Sequence, residues 1–490
     1  MTKQADEVIK IKLYDICDCA KEQGVENLEI TSVTDNTANV VKGSLFVCIK
    51  GARFDGHSVA QQMIEKGAAA VVCEHDTGAD NQIIVKNTRL ALAELCSAMN
   101  GHPTKKLKLI AVTGTNGKTT VAHLVKHILT ALGEKCGCIG TAGNDLCDGK
   151  VTDSPHGTPT TPSPTTLYKW FYEMVKNGAG YCVMEASSMA LCQHRIADEQ
   201  FLSGGFTNLT RDHLDYHLTM ENYFDAKARL FTLTDNAVIC IDDDYGKILA
   251  KRHKETAITY SVKEKADIYA DYIKMTATGS EFMLIDSRSE KACRVKLNMT
   301  GLYNVQNALC AIALVSADGF DITECAAALA SCKGVDGRLN TVYEGDFTVI
   351  TDYAHTDDAL RKMLAAVKPT VEGRLICLFG GAGERDKEKR PMMAAAVSEY
   401  ADVLVISSDN PASEDPDMII EEVYTGADKS LPCIKEADRR LAIEKALAIA
   451  GKGDVIVLAG KGHERYQIIG NEYIPFCERE IVEEILSRKE

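Results

Sequence analysis

The chain has 490 residues and a formal net charge of −15 at pH 7, and 45% of its residues are hydrophobic. A chain of this length is too long for one hydrophobic core and predicts about three domains. The acidic balance argues against nucleic acids as partners, because binding to a polyanion usually requires a basic face.

The cysteines and the polar amino terminus indicate the cellular compartment. Eighteen cysteines are scattered through apolar segments, as Cys182, Cys240 and Cys310 are, which is unlike a disulfide framework. A reducing environment suits such thiols, so we predict a cytoplasmic protein. Residues 1–12 carry no apolar signal segment, and no apolar run is long enough to span a membrane. We therefore expect an unprocessed protein without a membrane partner. A monomer is a separate expectation.

Residues 28–87 alternate short apolar segments with turns, which predicts a small amino-terminal α/β domain. The apolar segments at 43–50 and 68–73 are the expected strands, with a helix between them. Residues 100–107 then break the pattern with turn residues and lysines. We place the first domain at residues 1–105.

Residues 110–120 read Ile-Ala-Val-Thr-Gly-Thr-Asn-Gly-Lys-Thr-Thr, which predicts a buried strand, a tight turn and a helix from about residue 119 to 132. This order is typical of a loop whose backbone N–H groups bind the phosphates of a nucleoside triphosphate. Val112 replaces a glycine of the usual spacing, so the match is to a shorter form of the motif. The residues predicted to bind ATP here are Gly114, Thr115, Asn116, Gly117, Lys118, Thr119 and Thr120.

Glu185 ends the apolar strand expected at residues 181–184. A carboxylate there, beside a phosphate loop, could bind Mg²⁺ together with the hydroxyl of Thr119, but a glutamate that caps a helix is the alternative. His213 and His217 are one helical turn apart, and no third ligand supports a zinc site. We place the second domain at residues 106–337.

Asn304 precedes the apolar helix expected at residues 308–317. From its position alone, this side chain could contact an adenine or cap the helix, and the two interpretations are equally supported.

From residue 338 onward, strand, loop and helix alternate, which predicts a third domain, at residues 338–490, with a Rossmann-like sheet. The expected strands are at residues 348–352, 375–379, 403–406 and 455–458. The glycines of this region do not complete a GxGxxG fingerprint, which disfavours a nicotinamide cofactor. Polar residues cluster after these strands, where substrates bind in such sheets: Asp352, His355, Arg385, Asp386, Asp409, Asn410, Lys461, His463 and Glu464.

Seven motifs occur in order along the chain: Thr-Gly-Thr-Asn-Gly-Lys-Thr, Met-Glu-Ala-Ser-Ser, Thr-Asn-Leu-Thr-Arg-Asp-His-Leu-Asp-Tyr-His, Asp-Tyr-Ala-His-Thr, Glu-Arg-Asp-Lys-Glu-Lys-Arg-Pro, Asp-Asn-Pro and Gly-Lys-Gly-His-Glu. This ordered set resembles the Mur ligases of bacterial cell-wall synthesis over nearly the whole chain. The resemblance implies an α/β fold of three domains: a small amino-terminal α/β domain for a UDP sugar, a central P-loop ATPase with a mostly parallel sheet, and a carboxy-terminal Rossmann-like domain for an amino acid. It also implies ATP and Mg²⁺ as cofactors and only small molecules as partners.

The resemblance further implies a role for each matched residue. The catalytic residues would be Lys118, Glu185, His213, Lys227 and His355. Thr119, Glu185, His213 and a carbamylated Lys227 would hold Mg²⁺, and Asn304, Arg338 and Asp352 would lie near the nucleotide. The UDP sugar would contact Thr37, Thr160, Thr161, Ser187, Gln193 and Arg195, and the amino acid Arg385, Asp409, Asn410, Gly460 and Glu464.

The implied reaction adds a diamino acid to the D-glutamyl carboxylate of UDP-N-acetylmuramoyl-L-alanyl-D-glutamate through an acyl phosphate. In members of the family that add diaminopimelate, the pocket motif reads Asp-Asn-Pro-Arg, whereas Ala412 stands at the fourth position here. A second carboxylate would lack that arginine, so we predict L-lysine first, L-ornithine second and meso-diaminopimelate third. Arg465 could reach the same spot from another loop.

Two other classes of protein stay open. One is a ligase that resembles folylpolyglutamate synthase, which has the same architecture. The other is a non-catalytic nucleotide-binding paralogue, suggested only by departures in the amino-terminal domain, where Asn36, Thr37 and Ala38 replace the family's Asp-Ser-Arg.

Overall fold

The computed structural model of the protein describes residues 10–51, 54–152, 159–197, 200–275, 279–335 and 337–488. Most of the polar amino-terminal segment, on which the absence of a signal segment was argued, lies outside these ranges. The described residues form three α/β units, each with its own sheet. The predicted fold class is therefore observed, while the predicted domain limits at residues 105 and 337 stay a prediction.

The amino-terminal unit is built on a parallel sheet. Its elements are β1 (Ile11–Lys12), α1 (Leu13–Ile16), α2 (Asp18–Glu22), β2 (Glu29–Ile30), β3 (Ser32–Thr34), β4 (Ser44–Val47), α3 (Ala60–Lys66), β5 (Ala70–Cys73), β6 (Gln82–Ile84) and α4 (Thr88–Met99). Strands β3, β4, β5 and β6 pair in that order, all in parallel. Side chains alternate along a strand, so Leu45 packs in a core with Leu92 while Phe46 packs on the other face with Met63. Burial on both faces explains the continuous apolar runs.

The central unit contains the phosphate loop. Its elements are β7 (Lys108–Thr113), α5 (Lys118–Ala131), β8 (Cys136–Ile139), β9 (Asn144–Asp145), β10 (Val151–Thr152), α6 (Pro164–Lys176), β11 (Tyr181–Glu185), α7 (Ser188–Cys192), β12 (Phe201–Phe206), α8 (Leu214–His217), α9 (Met220–Ala228), β13 (Thr234–Cys240), α10 (Asp244–Arg252), β14 (Ala257–Ser261), β15 (Ile268–Met275), β16 (Ser280–Asp286), β17 (Lys291–Leu297), α11 (Leu302–Ser316) and α12 (Ile322–Ala328).

Within the described residues, the central sheet has eleven strands in the order β10-β9-β8-β11-β7-β12-β13-β14-β15-β16-β17. The strands from β8 to β15 pair in parallel, and the strands at both edges pair antiparallel. Strand β7 lies between β11 and β12, and Val112 is the register partner of Glu185. The carboxyl ends of these strands therefore meet at one edge of the sheet, where ligands bind in such folds.

The carboxy-terminal unit is a second, mostly parallel sheet. Its elements are β18 (Asn340–Glu344), β19 (Thr348–Asp352), α13 (Asp357–Val367), β20 (Leu375–Phe379), α14 (Lys389–Ser398), β21 (Val403–Ser407), α15 (Pro416–Tyr424), β22 (Cys433–Glu436), α16 (Arg439–Ile449), β23 (Val455–Ala459), β24 (Tyr466–Ile469), β25 (Glu472–Pro475) and α17 (Glu478–Ser487). The sheet order is β18-β19-β23-β20-β21-β22, with β18 antiparallel to β19 and the other pairs parallel. The four strands predicted from the sequence are all present.

Short 3₁₀ helices connect several of these elements, at Thr37–Asn39, Gly56–Val59, Pro103–Lys105, Arg229–Thr232, Leu329–Ser331 and Lys368–Thr370. Among the described helices, none combines the length and the apolar character that crossing a membrane requires.

Helix α11 starts earlier than the sequence indicates, which corrects the interpretation of one residue. The helix was expected from residue 308 and begins at Leu302. Asn304 therefore lies inside the first turn, while Gly301 occupies the N-cap position. The amide of Asn304 donates to the carbonyl of Thr300 at 2.8 Å. The capping interpretation of Asn304 is wrong.

Candidate functional site

A cavity of about 820 Å³ lies between the central and carboxy-terminal units. Its walls are the phosphate loop, the carboxyl ends of the central strands and the loops that follow β19, β20, β21 and β23. The predicted site residues that line it are Thr115, Asn116, Gly117, Lys118, Thr119, Thr120, Thr160, Glu185, Ser187, Arg195, His213, Lys227, Arg338, Asp352, His355, Arg385, Asp409, Asn410, Gly460 and Glu464. The cavity thus joins residues predicted for the nucleotide with residues predicted for the amino acid. Gly114, Asn304, Thr37, Thr161 and Gln193 are not among its lining residues.

The phosphate loop depends on two glycines with left-handed backbone. Gly114 has φ +145° and Gly117 has φ +90°, and a Cβ atom at either position would collide with a side chain of the central unit. The carbonyl of Gly114 accepts hydrogen bonds from Nζ of Lys118 at 3.0 Å and from Nζ of Lys227 at 2.7 Å. Burial lowers the pKa of Lys118. Two lysines therefore converge on one carbonyl of the loop.

Glu185 is the last residue of β11 and not a helix cap, so the capping interpretation is wrong. Its side chain is buried, and its Oε2 accepts from the hydroxyl of Thr119 at 3.0 Å. Its Oε1 accepts from the backbone N–H of Thr141 at 2.7 Å. A hydroxyl and a carboxylate side by side fit the oxygen ligands that Mg²⁺ prefers. No group of three or more His, Cys, Asp or Glu in the described ranges could hold a metal alone, so phosphate oxygens and water would complete such a site.

His213 and His217, which are close in sequence, have separate environments. Burial lowers the pKa of His213 to about 4, despite the nearby carboxylate of Asp212, so its ring is neutral at pH 7. His213 also has left-handed backbone, with φ +52°. His217 is bound through its Nε2 to the hydroxyl of Ser188 at 2.9 Å.

Lys227 lies on α9 and is 1% exposed, so it is not a solvated lysine on the surface of the helix. Its Nζ lies 4.6 Å from the centre of the Tyr223 ring. Burial and the positive charge of Lys118 hold the pKa of Lys227 well below its usual range. A larger fraction of neutral amine follows from this shift.

Arg338 and Asp352 belong to the carboxy-terminal unit and line the cavity opposite the phosphate loop. The guanidinium of Arg338 lies 4.7 Å from the centre of the Tyr353 ring. Asp352 accepts from the backbone N–H groups of Leu339 and Ala354, each at 2.7 Å. Burial raises the pKa of Asp352. The side chain of Asp352 therefore ties the residue before β18 to the loop that follows β19.

A second cavity, of about 370 Å³, lies between the amino-terminal and central units. Gln193 and Arg195 line it together with Asp35 and Arg89, and Arg195 also lines the larger cavity. Thr161 connects Arg195 to the end of β11. The carbonyl of Thr161 accepts from Arg195 Nη1 at 2.6 Å, and the hydroxyl of Thr161 donates to the carbonyl of Glu185 at 2.7 Å.

Two further residues predicted to contact a UDP sugar differ in their placement. The hydroxyl of Thr160 accepts from the hydroxyl of Thr141 at 3.1 Å, at the wall of the larger cavity. Thr37 lines neither of the two cavities described above. The carbonyl of Thr37 accepts from Lys66 Nζ at 2.5 Å.

The pocket predicted for the amino acid is organised by a buried lysine. Nζ of Lys461 donates to Asn410 Oδ1 at 3.0 Å and to Glu464 Oε2 at 2.8 Å. The amide of Asn410 also donates to Glu464 Oε2, at 3.2 Å. Burial raises the pKa of Glu464, although Lys461 opposes this effect. The loops after β21 and β23 are therefore tied together by side chains.

Arg439 supports the same two loops, and sequence reasoning missed it. Its guanidinium donates to the carbonyls of Ser408 at 3.1 Å and Ala459 at 2.7 Å. It also forms an ion pair at 2.7 Å with Glu478, and both side chains are fully buried. In the sequence this arginine resembles any surface residue of a helix, so no pattern distinguishes it.

Thr141, Asp212 and Lys389 are also at the site without having been predicted. Thr141 could have been found, because it follows the apolar run that forms β8 and thus ends a strand beside β11. Asp212 and Lys389 belong to two motifs that are distant in sequence, and nothing in either motif indicates that they meet.

Comparison with known families agrees with this geometry in all three units. Residues 29–99 match the catalytic domain of the Mur ligase family, residues 112–315 the Mur ligase middle domain, and residues 337–462 the Mur ligase glutamate ligase domain. The chain belongs to the Mur ligase family. It is an ATP-dependent ligase that uses Mg²⁺, which supports an enzyme over a non-catalytic paralogue.

The similarity to individual known proteins covers almost the whole chain. A UDP-N-acetylmuramoyl-L-alanyl-D-glutamate–2,6-diaminopimelate ligase from Clostridium tetani is 40% identical, with 98% of each chain covered. A ligase of the same name from Clostridium acetobutylicum is 42% identical, over 94% of this chain and 95% of that one. A solved structure of a ligase with this name superposes with a TM-score of 0.69 at 28% identity, over 98% of this chain and 99% of that one. The predicted resemblance and the predicted fold class are confirmed.

Proposed function

We propose that the protein adds a diamino acid to the D-glutamyl carboxylate of UDP-N-acetylmuramoyl-L-alanyl-D-glutamate during peptidoglycan synthesis in the cytoplasm, as a monomer. The observation that carries this proposal is the single cavity shared by the phosphate loop, Glu185 and the pocket at Asp409 and Glu464. A phosphoryl donor, an acceptor carboxylate and an amine can meet there, and such positioning accounts for much of the rate of these reactions. The names of the relatives support this substrate over a folate.

Meso-diaminopimelate is our first candidate for the amino acid. The relatives named above are 2,6-diaminopimelate ligases. They favour the amino acid that the sequence ranked third and give no support to L-lysine, which it ranked first. L-lysine is kept as the second candidate because Ala412 removes one arginine from the pocket motif.

Two other arginines could compensate for Ala412. Arg385 and Arg465 both line the cavity, and a planar guanidinium matches a carboxylate well. Arg465 pairs only loosely with Glu480, at 3.5 Å and with both side chains mostly exposed. The backbone N–H of Ala412 donates to the carbonyl of Ile468 at 3.1 Å, which holds the loop of Ala412 beside the strand that follows Arg465. A substrate with two carboxylates would thus find two cationic partners.

In the first chemical step, the carboxylate oxygen of the substrate forms a bond with the γ-phosphorus of ATP, and the bond from that phosphorus to the β-phosphate oxygen breaks. ADP leaves and an acyl phosphate remains. Lys118 would stabilise the charge on the phosphate oxygens, as in other phosphate loops. When bound at Thr119 and Glu185, Mg²⁺ would neutralise phosphate charge.

In the second step, the neutral amine attacks the acyl carbon, a C–N bond forms and the bond to the phosphate oxygen breaks. The departing phosphate takes up the proton that the amine loses. Asp409 and Glu464 would orient the amino acid, and Arg385 would bind its α-carboxylate. His355 lines the cavity, where it would face the reacting groups. Burial and the charge of Lys389 lower its pKa, which favours the neutral ring.

Carbamylation of Lys227 belongs to the same proposal. Carbon dioxide reacts with a neutral amine, and the low pKa of Lys227 favours that form. The carbamate would place an anion, instead of an amine, near Lys118, His213 and the bound cation. An anion suits Mg²⁺ better than a lysine amine does.

The deciding experiment measures phosphate release with UDP-N-acetylmuramoyl-L-alanyl-D-glutamate, ATP and Mg²⁺, with each of the three amino acids in turn. We expect meso-diaminopimelate to give the highest kcat/KM and no turnover without the dipeptide substrate. A preference for L-lysine would overturn the amino-acid assignment, and no turnover with any of them would overturn the proposed function. Arg465→Ala should reduce the preference for meso-diaminopimelate, and Ala412→Arg should increase it.

A further inference from the structure

Lys389 is a buried cation at the cavity that no motif assigned to the reaction. It is the first residue of α14 in the carboxy-terminal unit, and its side chain is 7% exposed. Its Nζ lies 3.6 Å from Oδ1 of Asp212, which belongs to the central unit. Lys389 also lines the cavity beside the phosphate loop. A lysine in this position bridges the two units at the place where they face each other.

The surroundings of Lys389 leave its hydrogen-bonding capacity unused. A separation of 3.6 Å exceeds hydrogen-bond length, so the pair with Asp212 is electrostatic only. Within the ranges that the structure describes, Lys389 Nζ makes no hydrogen bond, although an ammonium carries three donors. The ammonium can therefore offer its donors to a ligand in the cavity that Lys389 lines.

The charged groups around this ammonium come from both units. Asp212 is buried and accepts from the backbone N–H of His213 at 2.9 Å. The charge of Lys389 contributes to lowering the pKa values of His213 and His355. Lys118 and Lys227 contribute two further amines from the central unit. Three amines, from Lys118, Lys227 and Lys389, thus line the cavity with the two buried carboxylates of Asp212 and Glu185, and this excess of amines suits an anion.

We propose that Lys389 is a catalytic residue that binds the phosphoryl group while it passes from ATP to the carboxylate, and that Asp212 is the positioning residue that directs its ammonium into the cavity. This inference rests on the proposed function. Lys118 holds the same phosphate from the central unit, and Lys389 approaches from the carboxy-terminal unit. The charge that stabilises the transfer is then complete only when the unit that carries the amino-acid pocket is in place, which couples phosphoryl transfer to the presence of the second substrate site.

The test compares Lys389→Met with Lys389→Arg and with the control Lys387→Met. Lys387 lies on the same segment, is mostly exposed and pairs with Glu414 at 3.1 Å. We expect Lys389→Met to lower kcat by about 100-fold or more, as loss of a transition-state donor does. The KM for ATP should change by less than about threefold, and the burst of ADP formed without amino acid should slow in parallel. Lys389→Arg should recover part of the rate.

Asp212→Asn tests the positioning role through a double-mutant cycle. If Asp212 acts by directing Lys389, then Asp212→Asn should lower kcat in the parent protein and have little further effect in the Lys389→Met background. Independent, additive losses would overturn this part of the proposal.

Three outcomes would overturn the assignment of Lys389. One is a Lys389→Met protein with kcat within threefold of the parent, like the Lys387→Met control. Another is a loss of thermal stability that Lys389→Arg restores without restoring the rate, because a structural role predicts that result. The third is a slow overall rate with an unchanged ADP burst. A parent protein that does not turn over the dipeptide substrate would instead refute the proposed function.

Discussion

The guanidinium of Arg338 donates to the hydroxyl of Thr119 at 3.1 Å, and that hydroxyl in turn donates to Glu185 at 3.0 Å. A chain of hydrogen bonds thus runs from the carboxy-terminal unit through the phosphate loop to the end of β11. Arg338 holds a lone pair of the hydroxyl that a metal ion would use. Binding of nucleotide and Mg²⁺ should therefore release Arg338 towards the phosphates.

The first prediction follows from this contact. Arg338→Met should raise the KM for ATP at least about tenfold, because the guanidinium would lose its contact with the phosphates while Lys118 still binds them. The increase in thermal midpoint caused by a non-hydrolysable ATP analogue should shrink by a corresponding amount. A full nucleotide-induced shift in the variant would contradict the role of Arg338.

The second prediction concerns Lys118. Lys118→Ala should abolish ATP turnover and keep the fold. Among the described residues, Nζ of Lys118 bonds to the carbonyls of Gly114 and Thr115, at 3.0 and 2.8 Å, and both belong to the phosphate loop itself. Circular dichroism and the thermal midpoint should match those of the parent, and the exposed Lys135→Ala serves as the control. Near-normal activity of Lys118→Ala would refute the assignment of the phosphate loop.

The third prediction is that active protein carries a carbamate on Lys227. Lys227→Ala should be nearly inactive and regain part of its activity with formate or acetate, whose carboxylates can occupy the space left by the side chain. Activity of the parent should fall in carbonate-free buffer and return with bicarbonate. Full activity without carbonate, together with an unmodified lysine mass in the peptide, would disprove carbamylation.

The fourth prediction uses the pKa of His213, which burial lowers to about 4 from an ordinary value of 6.5. The unfolded chain then binds a proton at a higher pH than the folded chain, so stability falls as the pH drops from about 6.5 towards 4. His213→Asn should weaken this dependence, and asparagine tolerates the left-handed backbone at this position. Urea unfolding of both proteins at several pH values checks it: parallel curves below pH 6.5 would rule out His213 as a cause.

The sequence predicted the parts of the site that depend on local order. A strand, a glycine turn and a helix identify the loop from Gly114 to Thr120, and Glu185 could be placed beside it because parallel strands end at a common edge. The pairing of β7 with both β11 and β12 could not be read from the sequence, since strand order depends on packing between distant segments.

Sequence patterns could not predict the contacts between units either, because these contacts also depend on packing between distant segments. Asp212 and Lys389 each look like one charge in a polar motif, and their meeting depends on how two domains pack. The placement of Asn304 failed because an apolar pattern does not define the first turn of a helix.

The last prediction concerns Arg439, which is buried with Glu478 and holds the carbonyls of Ser408 and Ala459 on either side of the amino-acid pocket. Arg439→Met would leave the carboxylate of Glu478 buried without its partner, so the free energy of unfolding should fall by about 3–5 kcal/mol. Urea unfolding measures this change.

Arg440→Met is the matched control. Arg440 is the next residue and pairs at 2.6 Å with the exposed Glu484, and loss of a surface pair costs less than about 1 kcal/mol. Because Arg439 also positions Asp409 and Gly460 through their neighbours, its variant should raise the KM for the amino acid more than the KM for ATP. Equal urea midpoints for the two variants, or equal changes in both KM values, would show that Arg439 does not hold the pocket.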